Sequence, residues 1–401
     1  GDPVDTVTVS QELEAHSLLM EVGGPAYLTQ CIRNTPTSTH AEVYGMMVRR
    51  CAQRRQLLQA AETIKLLAID ETMDIKKIFT LSEAKLMSVT VSEHKQEDTD
   101  IKTIMHEYMD DLALLTELRK QGVVPGLPTG YPSVDAIIGG AYKGELTIIA
   151  GPAKAGKSTY NLNVARNRAK AGAHIVIAIL EMNRAAVVRK FVSMETDIPV
   201  DTLKNAKLSG QQWSRFVEAS QKISKWNMHI IDDYPAMSPL DLRRELRRIM
   251  HNETVDYVLV DGLWRMASDK PSEKRHEEIA RILIDLTTIA AKMKVPIDLV
   301  HQFNAAPNTR RDPRPRLSDL GLSISAQTEP YTVILLYRES YYKQDGSDEL
   351  EVIIAANRDG NMDTAKLGFK KSSEEYFELG RIDRMIIPAT NIDDSRKDVY
   401  Q

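Results

Sequence analysis

Leu146-Thr147-Ile148-Ile149-Ala150-Gly151-Pro152-Ala153-Lys154-Ala155-Gly156-Lys157-Ser158-Thr159 is the stretch on which the fold turns. Its first five residues are an apolar run with two adjacent isoleucines, the pattern of a strand buried on both faces. The spacing G-x-x-x-x-G-K-S follows at once, and residues 159–171 read as a helix. A glycine-rich turn between strand and helix presents successive backbone N–H groups and a helix N-terminus, which together bind phosphate. In that context Gly151, Pro152, Ala153, Lys154, Ala155 and Gly156 are cradle positions and Thr159 opens the helix. Lys157 then balances β/γ-phosphate charge and Ser158 ligates Mg²⁺. The motif predicts a nucleoside triphosphate site for ATP with Mg²⁺; what hydrolysis would drive is not contained in it.

Working downstream, apolar segments at 174–180, 229–231, 257–260, 297–300, 332–337 and 350–355 alternate with helical stretches. Such alternation predicts an α/β fold with a largely parallel sheet and helices on both faces. Three strand ends carry chemistry. Tyr257-Val258-Leu259-Val260 ends in Asp261, which beside a phosphate loop is placed to hold Mg²⁺ through water; the plainer reading is a cap for the next turn. The strand from Ile175 to Leu180 ends in Glu181, positioned as a general base for the attacking water or, more plainly, as an acidic residue at a helix N-terminus. The strand ending in His301-Gln302 offers an amide to sense the γ-phosphate, while His301 reads as a packed or surface histidine.

A chain of 401 residues with 42% hydrophobic and 27% charged composition is globular and long enough for two domains. Residues 1–92 are helix-like, 93–100 are polar, and Ile101, Ile104, Met105, Tyr108, Leu112 and Leu115 recur at helical spacing. The expected organisation is a helical N-terminal domain at 1–92, a linker with an amphipathic helix at 93–124, and an ATPase domain at 125–401. The stripe on the linker helix needs a partner in its own chain or another. No run approaches the roughly 18 apolar residues of a membrane helix, and the acidic start is unlike an export signal, so the expected location is cytoplasmic. Cys31 and Cys51 have neither disulfide nor zinc spacing and are expected to be buried or half-buried thiols. A net charge of −4 demands no polyanionic partner, but basic residues concentrate locally at 270–275 and 310–316.

With these residues in hand, the chain resembles the DnaB-type replicative DNA helicases, RecA-like hexameric ring ATPases of bacteria and their phages. The stretches that carry the resemblance are Val22-Gly23-Gly24-Pro25-Ala26-Tyr27-Leu28 and Asn34-Thr35-Pro36 in the N-terminal part. Further on they are Thr129-Gly130-Tyr131, the phosphate loop, Leu180-Glu181-Met182, Val260-Asp261, Gln302 with Asn304, Ser318-Asp319-Leu320 and Tyr337-Arg338-Glu339. Gly1-Asp2-Pro3-Val4-Asp5 is similar to a point inside that N-terminal domain, so the chain is expected to start partway through it. The resemblance implies a RecA-like ATPase domain behind a small all-α domain, a homohexamer translocating single-stranded DNA to unwind a replication fork in a bacterial cell or phage-infected host, and primase and loader as N-terminal partners. It also implies that the linker helix docks on a neighbouring subunit.

The same resemblance implies two loops facing a central channel, at about 265–276 and 303–325. Lys270, Lys274, Arg275, Arg310, Arg311, Arg314 and Arg316 lie in them, and a basic loop suits sequence-tolerant tracking of a phosphate backbone, although a solvated loop has the same composition. Where the family carries an Arg-Glu-Ser-Gly-like run, this chain has Gly321-Leu322-Ser323-Ile324, which shifts expected contact toward backbone amides at Gly321 and Ser323 and toward the flanking cations. Asn357-Arg358-Asp359-Gly360-Asn361 reads as a hairpin turn in which Asp359-Gly360 supply positive φ. In the family this place carries a Lys-x-Arg pair that reaches a neighbour's γ-phosphate. Arg358 matches the arginine, and Ala356 stands where the lysine is expected. Two other classes remain open on sequence: a RecA/RadA-type recombinase ATPase, and a nucleotide-dependent ring assembly protein with little unwinding.

Overall fold

The computed structural model describes residues 6–16, 18–34, 41–75, 77–79, 81–82, 85–86, 100–120, 122–232, 234, 236–269, 272, 274–303, 310–343 and 345–379. Lys270, Asn304 and the polar stretch 93–99 lie outside them. The chain divides into two compact units, Gly1–Met105 and His106–Gln401.

The first unit is helical, with α1 at Thr6–Ala15, α2 at Gly24–Asn34 and α3 at Ala41–Ile69. A unit this small buries little, and Ala60 and Ile78 are its buried apolar side chains among the described residues. That thinness corrects one expectation, because Cys31 and Cys51 are both exposed. Helix α4, Ile101–Lys120, carries the predicted stripe; Ile101 is 69% and Tyr108 58% exposed, with Ile104, Met105 and Leu112 also exposed.

The second unit is built on a nine-stranded sheet among the described residues, in the order β3-β2-β4-β5-β1-β6-β7-β8-β9. The strands are β1 Leu146–Gly151, β2 Ile175–Ile179, β3 Met228–Ile231, β4 Tyr257–Asp261, β5 Ile297–Gln302, β6 Thr332–Arg338, β7 Leu350–Asn357, β8 Thr364–Lys370 and β9 Glu375–Glu378. The first six are mutually parallel and the last three run antiparallel, so the RecA-like α/β expectation is met. Two strands, β8 and β9, were not expected. Their signal was present, since Ala365 and Leu367 alternate with exposed Thr364 and Lys366, but one-faced edge hairpins give a weaker pattern than buried parallel strands.

Both sheet faces are covered. Val176 and Ala178 of β2 face one core, with Leu242 and Leu246 of α10 (Pro239–Met250) and Ile282, Leu283 and Leu286 of α11 (Arg275–Met293). Ile175, Ile177 and Ile179 face the other, with Leu162 and Ala165 of α6 (Lys157–Lys170) and Val187 and Phe191 of α7 (Arg184–Thr196). Between α6 and the sheet, buried Arg168 pairs with Asp298 at 3.3 Å and lies 4.0 Å over the Tyr257 ring, whose hydroxyl donates to Asp298 at 2.7 Å. Helix α5, Pro132–Ile138, is held by Asp135, which accepts from the Thr129 and Gly130 amides at 2.8 and 3.2 Å. Further helices among the described residues include short α8 (Val200–Lys204), α9 (Gly210–Ile223) and α12 (Ile324–Thr328).

Candidate functional site

Parallel register places the phosphate loop's neighbours. Gly151 at the end of β1 lies beside Gln302 at the end of β5, Asp261 at the end of β4 lies beside Ile179 and Val300, and Glu181 follows two residues beyond Ile179. All four groups therefore share the carboxyl edge of adjacent strands, where open α/β sheets bind ligands. Glu181, Asp261 and Gln302 line a cleft of about 380 Å³ with Lys154, Gly156, Lys157, Ser158 and Thr159.

Within it, Lys157 Nζ donates to the Pro152 carbonyl at 2.8 Å. Burial pushes the Lys157 ammonium down to about 8, against the opposing pull of Asp261 and Glu181. The Asp261 carboxyl is pushed up to about 6, chiefly by burial, while a hydrogen bond from Ser158 acts the other way. Phosphate fits this arrangement. Gly156 sits at φ +100°, and a Cβ there would lie 2.4 Å from the Tyr376 hydroxyl, so only glycine lets the loop close over the helix N-terminus. The donor set also suits Mg²⁺: among the described residues no cluster of three or more His, Cys, Asp or Glu can cage a metal, whereas Mg²⁺ takes one or two protein oxygens plus phosphate oxygens. Ser158 and Asp261 line the cleft and could supply such oxygens. His301 is buried, and its Nε2 lies 2.9 Å from the Leu320 carbonyl, which makes it a packed residue joining β5 to the loop beyond it.

Lys190, Trp264 and Glu374 also line this cleft and Tyr376 lies against the loop, none of them marked by a motif in the sequence. A second cleft of about 400 Å³ shares Lys154, Gly156, Thr159 and Glu374 with the first and adds Arg338, Asp348, Phe369 and Lys371. There the Arg338 guanidinium lies 5.0 Å over the Phe369 ring, a flat face on which a base can stack.

The basic loops divide into two groups. Arg314 grips Glu351 with two bonds at 2.7 and 2.8 Å and lies 5.0 Å over Tyr337, fastening its loop to β6 and β7. Arg310 pairs with Asp319 at 2.5 Å, and Arg275 holds the Trp264 and Met266 carbonyls at 2.9 Å and Glu278 at 3.0 Å. Lys274, Arg311 and Arg316 are exposed, and so is Gly321, at φ +64°. Ser323 caps α12 by accepting from the Ala326 amide.

Arg358 follows β7 directly and leads a six-residue connection to β8. Neither Asp359 nor Gly360 has positive φ, which corrects the turn expected here. A Cβ at Gly360 would lie 2.1 Å from Asn357 Nδ2, so the Asn357 side chain would have to shift to admit one. Arg358 donates to the Thr328 carbonyl at 2.9 Å and lies 5.0 Å over the Tyr331 ring. The register Thr147↔Thr332↔Asn357 puts it at the amino end of β1, while the phosphate loop leaves the carboxyl end. The four residue-to-residue steps from Thr147 to Gly151 separate the two by about 13 Å of strand before the loop begins. Its surroundings include Glu145, whose carboxyl is pushed up to about 7, first by burial and then by Asp359, against the pull of Arg358. A carboxyl raised on folding contributes stability that is present below its unfolded value of 4.5 and is lost as pH rises through about 7. Glu145→Gln is uncharged throughout, so it should be more stable than the parent at about pH 8, with the gap closing as pH falls toward about 5. Thermal unfolding of both proteins across that range measures this; a gap independent of pH would contradict it.

Comparison with known proteins follows the same division. Residues 126–378 match the model of the DnaB-like helicase C terminal domain, and residues 1–50 match that of the DnaB-like helicase N terminal domain. The chain is 30% identical to the replicative DNA helicase DnaB of Geobacillus stearothermophilus, over 95% of this chain and 84% of that protein. It is 29% identical to the replicative DNA helicase DnaC of Bacillus subtilis with the same coverage. Among solved structures, an isolated ATPase domain aligns with TM-score 0.63 at 26% identity, covering 67% of this chain and 98% of that one. A DnaB-like replicative helicase, described with its interactions with primase, aligns with TM-score 0.70 at 23% identity, covering 95% of this chain and 88% of that one, a likeness of fold.

Proposed function

The chain belongs to the DnaB-like helicase family, and on that premise we propose that it is a replicative helicase whose homohexameric ring hydrolyses ATP between subunits, translocates single-stranded DNA and opens the duplex. The carrying observation is the convergence of the phosphate loop, Glu181, Asp261 and Gln302 on one cleft of a chain that matches the family in both its parts. The working division is a helical domain at 1–92, a linker at 93–124 and a motor domain at 125–401. Primase and a loader are the proposed partners of the first, and the proposed location is the cytoplasm of a bacterial or phage-infected cell.

In this mechanism the amides of Gly151–Thr159 and the N-terminus of α6 bind the phosphates, and Lys157 moves from the Pro152 carbonyl to the β/γ oxygens. Ser158 and Asp261 would hold Mg²⁺, which would supply charge neutralisation on those oxygens. Glu181 orients a water in line with the γ-phosphate and takes its proton, and Gln302 registers whether that phosphate is present. Its neighbour His301, bonded to Leu320, ties this strand end to the loop that holds Arg316 and Gly321. The nucleoside lies toward Arg338 and Phe369. DNA phosphates meet Lys274, Arg311, Arg316 and the amides at Gly321 and Ser323, while Arg275, Arg310 and Arg314 hold the loops in shape.

A forked duplex tested with and without ATP is the direct assay. Strand separation that requires ATP is expected; strand pairing without separation would favour the recombinase reading, and ATPase activity indifferent to single-stranded DNA would favour an assembly protein. Assembly has its own test in the exposed stripe of α4, which docking on a neighbouring subunit would bury. Replacing Ile104 and Tyr108 together by Asp puts two charges into that contact and should lower the mass seen in sedimentation. An unchanged hexamer would mean that the stripe packs elsewhere.

A further inference from the structure

Lys190 and Glu374 form an ion pair inside the nucleotide cleft, and the mechanism above leaves both unused. Lys190 projects from α7 with its side chain 15% exposed, beside Lys157, Ser158, Glu181 and Asp261. Glu374 comes from the turn between β8 and β9, at φ +54°, a left-handed conformation that side chains rarely adopt. Both reach Thr159 at the start of α6: Lys190 Nζ lies 3.3 Å and Glu374 Oε2 3.5 Å from its hydroxyl. The backbone of the turn is fastened to the same helix. Asn163 donates to the Glu374 carbonyl at 3.0 Å and accepts from the Tyr376 amide at 3.1 Å, and Arg166 pairs with Glu375 at 2.8 Å. A carboxylate is thus held over a helix N-terminus shaped for phosphate, with a lysine as its counter-ion.

We propose that Lys190 is a phosphate-binding residue of this ATPase and that Glu374 is a built-in competing anion, which exchanges with the nucleotide phosphate for Lys190 and thereby lowers affinity and hastens release. The proposal rests on the reading that this cleft binds nucleoside triphosphate. The physical basis is charge: a triphosphate carries several negative charges against one on Glu374, so Lys190 transfers to the nucleotide when it enters. Because the turn is anchored, the carboxylate stays close enough to recapture the lysine when the phosphates leave.

The test is titration of the full chain with a fluorescent, slowly hydrolysed ATP analogue in Mg²⁺. Glu374→Gln keeps the shape of the side chain and should tighten binding by about tenfold, while Lys190→Met should weaken it by a similar factor, within the usual range of couplings between linked sites. Lys190→Arg should stay within about threefold of the parent, because the positive charge is kept. In the Lys190→Met background, Glu374→Gln should lose most of its gain. Equal gains in both backgrounds, or no gain in either, would overturn the proposal. Lys157→Ala distinguishes that failure from failure of the parent reading: if it binds the analogue as the parent does, the cleft is not the nucleotide site, whereas if it loses binding and Glu374→Gln changes nothing, only the exchange is wrong.

Discussion

Arg358→Ala is expected to leave ATP binding in place and to slow DNA-stimulated hydrolysis by about 10³-fold or more, the range of arginine fingers in other phosphoryl-transfer enzymes. Two observations direct this expectation to a neighbouring subunit. The guanidinium stands at the amino end of β1, whereas its own phosphate loop leaves the carboxyl end. Its present partners are weak holds: a single carbonyl at Thr328 and the face of Tyr331. A finger that completes another subunit's site can be exchanged between subunits. Rings mixed from Lys157→Ala and Arg358→Ala chains should therefore regain part of the activity that neither has alone, because some interfaces combine an intact loop with an intact finger. No regain in a mixture shown to co-assemble would place the action of Arg358 within its own chain or remove it from catalysis. Ala356, a half-buried residue of β7, carries no charge that can substitute for Arg358, which is why the single replacement should be so damaging.

Glu181→Gln is the second large effect, expected to bind ATP while turning it over about 10² to 10⁴ times more slowly, the usual cost of losing a positioned base. The amide keeps the size and some of the hydrogen bonding of the carboxylate, so binding isolates proton acceptance from shape. The side chain is exposed at the cleft, and a Cβ built at Gly262 would lie 3.7 Å from Glu181 Oε1. A pre-steady-state burst with the parent, absent in the variant, would locate the defect in the chemical step. Turnover within a few fold of the parent would return Glu181 to the role of an acidic residue near the N-terminus of α7.

Sequence reasoning went far where the chemistry is local. The loop at 151–158 announces itself because cradle, lysine and hydroxyl are consecutive, and because the strand before and helix after it have their own periodicities. Asp261, Glu181 and Gln302 could be singled out for a related reason: each ends a buried apolar run, and polar groups at the ends of parallel strands converge on one edge. The basic loops were legible only as composition. That Arg314 belongs to Glu351, and Arg310 to Asp319, depends on which segments fold back on which, and an arginine holding a loop is spelled the same as one awaiting DNA.

What the amino-acid sequence determined by itself is the nucleotide-binding unit, the parallel sheet that carries it and the family to which the whole chain is similar, since these follow from spacing and from patterns a few residues long. Tertiary structure alone decided the rest. It set Arg358 at the far end of β1 from its own loop, gave Asp359 and Gly360 ordinary negative φ, and brought Glu374 to Lys190 across 184 residues of chain. The reason is physical: distance in space between residues remote in sequence is fixed by strand order and register, and the sign and reach of a charge acquire meaning only once its neighbours are in place.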